Sequence, residues 1–143
     1  ADGRLDLVFF NLTSNNQARD KDPQTRLLIN QGQARFKDET QARLPKHRFS
    51  SWGGSVIDFN GDGAMDLVVG AIKVPGFVPL QVQAWQNDGR GYFRDVTATV
   101  MPAQTVGRSW SMAQGDIDGD GTPDLFIGGW QSQARLLLGR HAQ

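Results

Sequence analysis

Asp58-Phe59-Asn60-Gly61-Asp62-Gly63-Ala64-Met65-Asp66 and Asp116-Ile117-Asp118-Gly119-Asp120-Gly121-Thr122-Pro123-Asp124 share one pattern, D-x-[DN]-G-D-G-x-x-D. Each runs directly into an apolar segment, Leu67-Val68-Val69-Gly70 or Leu125-Phe126-Ile127-Gly128. Acid or amide side chains at alternate positions, separated by glycines, let a short loop curl until its oxygens converge. Like charges about 4 Å apart repel by roughly 4 kcal/mol even at an effective dielectric near 20. A hard cation removes that repulsion, and an all-oxygen ligand set suits calcium. The spacing predicts ligands at positions 1, 3, 5 and 9 with the backbone carbonyl of position 7. These are Asp58, Asn60, Asp62, Asp66 and the Ala64 carbonyl in one loop. In the other they are Asp116, Asp118, Asp120, Asp124 and the Thr122 carbonyl.

An EF-hand opens in the same way but needs a carboxylate at position 12. That position falls on Val69 and Ile127 here, and a strand-like run follows where an EF-hand continues as a helix. A metal-free Asp/Gly turn is the plainer alternative, and recurrence of the whole pattern weighs against it. Four carboxylates at Asp116–Asp124, against three and an amide at Asp58–Asp66, predict tighter binding in the later loop.

Ala1-Asp2-Gly3-Arg4-Leu5-Asp6-Leu7-Val8 matches Gly61–Val68 and reads as a third copy without its first three positions. It offers Asp2, Asp6 and the Arg4 carbonyl. Asp2, Asp62 and Asp120 are equivalent, so the chain repeats internally at about 60 residues. Leu27–Asp38 and Gln83–Asp95 each run through Asn, turn at Gly and leave on Phe-basic-Asp, a hairpin signature. Leu136-Leu137-Leu138-Gly139-Arg140 is a cut-off version.

One repeat therefore reads strand, acidic loop, strand, variable loop, strand, Gly turn, strand. In the middle copy the strands are expected near Ser55–Asp58, Asp66–Ile72, Gln81–Gln86 and Tyr92–Thr97. The second is apolar at nearly every position, which predicts burial on both faces, one sheet stacked between two others. The fold class is all-β, built of four-stranded antiparallel blades of a β-propeller, with about two and a half blades present. The blade boundaries fall at 1–50, 51–108 and 109–143.

The charge is balanced, with 15 basic and 15 acidic residues. Neither nucleic acid nor membrane insertion is expected. Nine of the fifteen acids sit in loop positions, so the rest of the surface is mildly basic. Cysteine is absent, which excludes a disulfide framework and thiolate metal sites. His47 and His141 belong to no ligand cluster, and no nucleophile motif occurs, so no catalysis is expected. Gly89-Arg90-Gly91 reads as a hairpin turn. Asn11-Leu12-Thr13 matches a glycosylation sequon by pattern alone.

The variable loops are Asn11–Thr25 and Lys73–Leu80. Phe77 is either an exposed contact or packed on a blade. Trp52 and Trp110, equivalent in the repeat, are expected between blades, and Trp130 is the better candidate for an exposed aromatic.

These residues resemble the FG-GAP/VCBS repeat: D-x-[DN]-G-D-G-x-x-D-L before a strand, then L-x-N-x-G-x-G-x-F and D-V-T. The repeat also builds the β-propeller head of integrin α subunits and occurs in arrays in bacterial secreted and surface proteins. The resemblance covers essentially the whole chain and lies closer to the bacterial branch, because Ser51-Trp52-Gly53-Gly54 only loosely echoes Phe-Gly-Gly-Ala-Pro. It implies calcium in the loop between the first and second strand of each blade. It also implies a non-catalytic recognition, adhesion or assembly scaffold that is extracellular, on the cell surface or periplasmic. The partners expected are a protein, or other segments or chains that complete the propeller. A lectin-like role toward carbohydrate and an accessory domain of a secreted enzyme are the alternatives.

Overall fold

The computed structural model describes residues 2–12 and 22–140. Most of the variable segment Asn11–Thr25, including Thr13 of the sequon, lies outside the described residues, as do Ala1 and His141. Four antiparallel sheets form among the described residues, and three of them follow the repeats, one each. The first contains β1 (Leu7–Phe9), β2 (Arg26–Asn30) and β3 (Phe36–Asp38), in that order. A one-turn helix, α1 (Thr40–Arg43), leads to the middle sheet. There β4 (Gly54–Ile57) and β5 (Asp66–Val69) come first. The short strands β6 (Ile72–Lys73) and β7 (Val78–Gln81) intervene before β8 (Gln83–Asn87) and β9 (Phe93–Asp95). The middle sheet has the order β4-β5-β8-β9. A second one-turn helix, α2 (Thr97–Val100), and β10 (Val106–Gly107) precede the last sheet. That sheet is β11 (Ser109–Gly115), β12 (Asp124–Gly129) and β13 (Arg135–Leu137). None of the sheets closes on itself, and the arrangement is a partial propeller. No described helix is long and apolar enough to cross a membrane.

β5 is buried at all four positions. Its alternate residues face two different cores, as the unbroken apolar run requires. Leu67 and Val69 join Leu27, Leu44 and Trp85 in the seam between the first and middle sheets. Val68 joins Ile57, Val82, Leu125 and Ile127 in the seam between the middle and last sheets.

The strand expected over Asp66–Ile72 is broken at Gly70, and the segment Lys73–Leu80 is not a plain loop. A turn with Gly76 and Phe77 at positive φ folds β6 back onto β7, and β10 pairs with the other edge of β7. Gly70 permits the break by close packing. A Cβ there would lie 2.9 Å from the Gly53 carbonyl and 2.9 Å from Ser109 Cβ. The inner strands of neighbouring sheets can therefore approach only if this residue has no side chain.

Both hairpins anticipated from sequence form, with Leu28 opposite Asp38 and Trp85 opposite Asp95. At the end of each, an Asp-x-Thr triplet turns the chain into its helix. Asp38 Oδ1 accepts from Thr40 N–H, and Thr40 Oγ1 accepts from Leu27 N–H at 2.9 Å. Asp95, Thr97 and Ala84 repeat the arrangement. These bonds satisfy backbone donors of the inner strands β2 and β8 just past the point where the outer strand ends.

Candidate metal centre

Each acidic loop joins the first strand of a sheet to its second, β4 to β5 and β11 to β12. A strand, not a helix, follows Asp66 and Asp124. The position-1 carboxylate curls the loop. Asp58 accepts from Gly61 N–H and Gly63 N–H, both at 2.8 Å, and Asp116 accepts from Gly119 and Gly121 at 2.7 and 2.9 Å. All four glycines have φ between +74° and +85°, a conformation costly for any residue with a Cβ. Nothing lies within 4 Å of where a Cβ would be, so the requirement is conformational and not steric crowding.

The position-9 carboxylates lie deeper. Asp66 and Asp124 are fully buried. Asp66 Oδ1 accepts from Asn87 N–H at 2.8 Å, and its Oδ2 from Phe59 N–H at 3.3 Å. Asp124 does the same with Gly139 and Ile117, at 2.8 and 2.7 Å. In the truncated copy Asp6 keeps the first of these bonds, to Asn30 N–H at 2.8 Å. Each of these acids ties its loop to the C-terminal end of the strand paired beside it, β8, β13 or β2. Burial pushes the Asp66 carboxyl up, against the two amides that favour its charged form.

Positions 3 and 5 remain at the surface. Asp62 is held below the ordinary carboxylate range by Ala64 N–H and then by the Asn60 amide, which donates to it at 2.8 Å. Among the described residues, Asp116, Asp118 and Asp120 each place a carboxylate oxygen within 4.8 Å of the others. Oxygens that share a calcium ion at 2.3–2.6 Å stand at most about 5 Å apart. The three carboxylates that converge in the last loop thus fit that ion in type and separation. Asp2 is paired with the Arg4 guanidinium, and its Oδ1 accepts from Arg4 N–H at 3.0 Å. In the first copy, therefore, Arg4 offsets the charge of Asp2.

A family model described as FG-GAP-like repeat matches residues 1–69 and 78–127. The chain belongs to the FG-GAP-like repeat family. No curated protein matches it. The unmatched gap between the two FG-GAP-like segments, residues 70–77, contains β6 and the turn after it, the part of the middle repeat that departs from a simple four-stranded unit.

Three features of these FG-GAP-like repeats escaped the sequence reading. Arg140 Nη1 lies 3.0 Å from Asp118 Oδ2 and 3.6 Å from Asp120 Oδ2, so a guanidinium sits against the last loop. Its counterpart beside the middle loop is Asp88, and the hairpin alignment could have revealed that reversal of charge. His47 is a structural plug. Its Nε2 accepts from Thr25 N–H at 2.9 Å, Nδ1–H donates to Pro45 O at 2.8 Å, and the ring packs 4.8 Å from Trp85. Lastly, Trp52 gathers Phe77, Trp110 and Trp130 at centroid distances of 5.2, 4.9 and 5.3 Å. The pairing of Trp52 and Trp110 between blades is as expected. Phe77 is packed, not a free contact, while Trp110 and Trp130 keep exposed faces.

Proposed function

We propose that this chain is a calcium-pinned, non-catalytic propeller segment that serves outside the cytoplasm as a recognition or assembly scaffold. The observation that carries it is the convergence of the Asp116, Asp118 and Asp120 carboxylates on a loop whose pattern recurs in full at Asp58–Asp66. Positions 1, 3, 5 and 9 and the carbonyls of Ala64 and Thr122 would hold the ion. Bound calcium would supply the positive charge that lets these oxygens coexist. Extracellular modules bind calcium at about 10⁻⁴ to 10⁻³ M, which suits a compartment rich in the ion.

A ligand that binds only the folded state stabilises it by about 0.4–1.4 kcal/mol per site at one to ten times its Kd, which is what millimolar calcium supplies. For a chain of this size, two such sites correspond to a rise in Tm of about 3–10 °C. Calorimetry in millimolar calcium and in excess EGTA should show a shift in that direction. Superimposed transitions, with no heat of calcium binding, would overturn the reading. Carboxylate count favours the last loop, whereas Arg140 must be displaced from it. Arg140→Gln should therefore tighten that site severalfold in a calcium titration of a variant whose middle loop is silenced by Asp62→Asn, and an unchanged Kd would remove Arg140 from the account.

The exposed faces of Trp110 and Trp130 beside Trp52 favour a second reading, carbohydrate stacked on aromatic rings. Binding on a glycan array that is lost in Trp110→Ala would support it.

A further inference from the structure

Trp52, Phe77, Trp110 and Trp130 meet at the end of the strands remote from the acidic loops. Trp52 and Trp110 stand at the approaches to β4 and β11, and Trp130 follows β12, whereas each loop joins the opposite ends of those strands. The seven residues of β11, about 20 Å of strand, separate the two ends. The rings belong to the seam between the middle and last sheets. Trp110 contacts Trp52, and Trp130 contacts both Trp52 and Phe77. The free flank of the last sheet carries Phe126 and Leu136 instead. Trp110 is the extra residue of a bulge between Ser109 and Ser111, a device that re-aims a side chain. More than half of its surface remains exposed.

Arg108, the residue before β11, reaches into this cluster. Its guanidinium lies 5.4 Å over the Trp130 ring. Nε–H donates to the Phe77 carbonyl at 2.8 Å, and Nη1–H to Gln131 Oε1 at 3.4 Å. Both residues that hold it have positive φ, +49° and +48°. That conformation is rare in residues with a Cβ and clusters at ligand-binding sites. Phe77 also lies in the stretch 70–77 that the FG-GAP-like family model leaves unmatched, so this fixture is not a general feature of the repeat. Among the described residues, no carboxylate pairs with Arg108. The outer edge of the fork, Nη2 and the second hydrogen of Nη1, faces no acid of this chain. A half-buried guanidinium fixed in this way is pre-organised for two parallel bonds to a carboxylate.

We propose that this end of the seam binds an acidic oligosaccharide, with one pyranose face against Trp110 and the carboxylate of a neighbouring uronate on Arg108. The centroids of Trp110 and Trp130 are 6.3 Å apart, so the charge stands one ring beyond the stacking face, and adjoining sugar residues reach both. Apolar C–H faces stack on indole rings, whereas an acidic peptide offers the charge without the flat face. The acidic loops, about two Debye lengths away in physiological salt, do not repel such a polyanion. This rests on the carbohydrate reading given above and not on the metal.

The test is calorimetric titration of the full chain with three acidic tetrasaccharides, oligogalacturonate, oligomannuronate and hyaluronan, and with their methyl esters. At least one acid should bind one-to-one and its ester about tenfold more weakly, the loss expected of one charge-assisted pair. Arg108→Gln should abolish that preference by weakening the acid alone, Arg108→Lys should keep part of it, and Trp110→Ala should weaken acid and ester together. Affinity should be the same in millimolar calcium and in EGTA. Equal binding of acid and ester, or an acid affinity unchanged in Arg108→Gln, would overturn the proposal. So would binding that vanishes in EGTA while the fold persists, which would place the anion on the acidic loops through calcium. An Asp/Glu peptide that binds as tightly and is lost in the same variants would make a polypeptide the occupant. Acids that all fail at millimolar concentration while neutral glycans bind would sink this inference and leave the carbohydrate reading standing, and failure of both would sink the two together.

Discussion

Two backbone amides each hold the buried carboxyl groups of Asp66 and Asp124, which is what allows an acid at the inner start of β5 and of β12. The same logic of donors and burial makes His47 a pH-sensitive point. Burial pushes its pKa below the usual 6.5, outweighing the Pro45 carbonyl and Asp22, which act the other way. The unfolded chain then binds more protons than the folded one once pH falls below about 6.5. Stability contributed by neutral His47 is complete above that pH and is lost as pH falls toward the lower folded-state value, by at most about 1.4 kcal/mol per pH unit. In a Tm series from pH 8 to 5, His47→Gln should have a lower plateau, because ring packing is lost, and a shallower acid decline than the parent. Parallel curves would show that other groups govern the acid limb.

At the scale of elements, β5 organises the rest because among the described strands it alone serves both seams with alternate side chains. Its neighbour Gly70 sets how closely the sheets meet. Gly70→Ala forces a methyl into contact with the Gly53 carbonyl and Ser109 Cβ at 2.9 Å. The neighbours are backbone and a short side chain, so relief requires movement of β4 or β11. Overpacking of this kind costs about 1–3 kcal/mol. Urea unfolding of Gly70→Ala should show a midpoint lowered to match, and a change within about 0.5 kcal/mol would mean that the seam yields easily. The hairpins β2–β3 and β8–β9 were legible from Asn, Gly and Phe-basic-Asp because turn chemistry is local. The pairing of β10 with β7 was not legible, since it joins residues about 25 positions apart through strands of two and four residues, too short for any alternation to register.

Across the whole molecule, stacking buries the middle sheet and leaves the outer faces of the first and last sheets open. Leu7 and Phe9 are exposed on one flank, and Phe126 and Leu136, directly opposite each other, on the other. Apolar flanks of this kind mark contact surfaces. The double variant Leu7→Glu, Phe9→Glu should keep its Tm while concentration-dependent light scattering falls, and scattering equal to the parent would show that this flank does not associate. By itself, the sequence determined the all-β class, the three-fold repetition, the acidic loops and their place between strands, because glycines, alternate acids and apolar runs act over a few residues. The tertiary structure alone decided that Arg140 faces the last acidic loop, that His47 plugs a seam and that Phe77 joins three tryptophans. These depend on which side chains meet across separate sheets, and distance in space is not encoded in the spacing of residues along the chain.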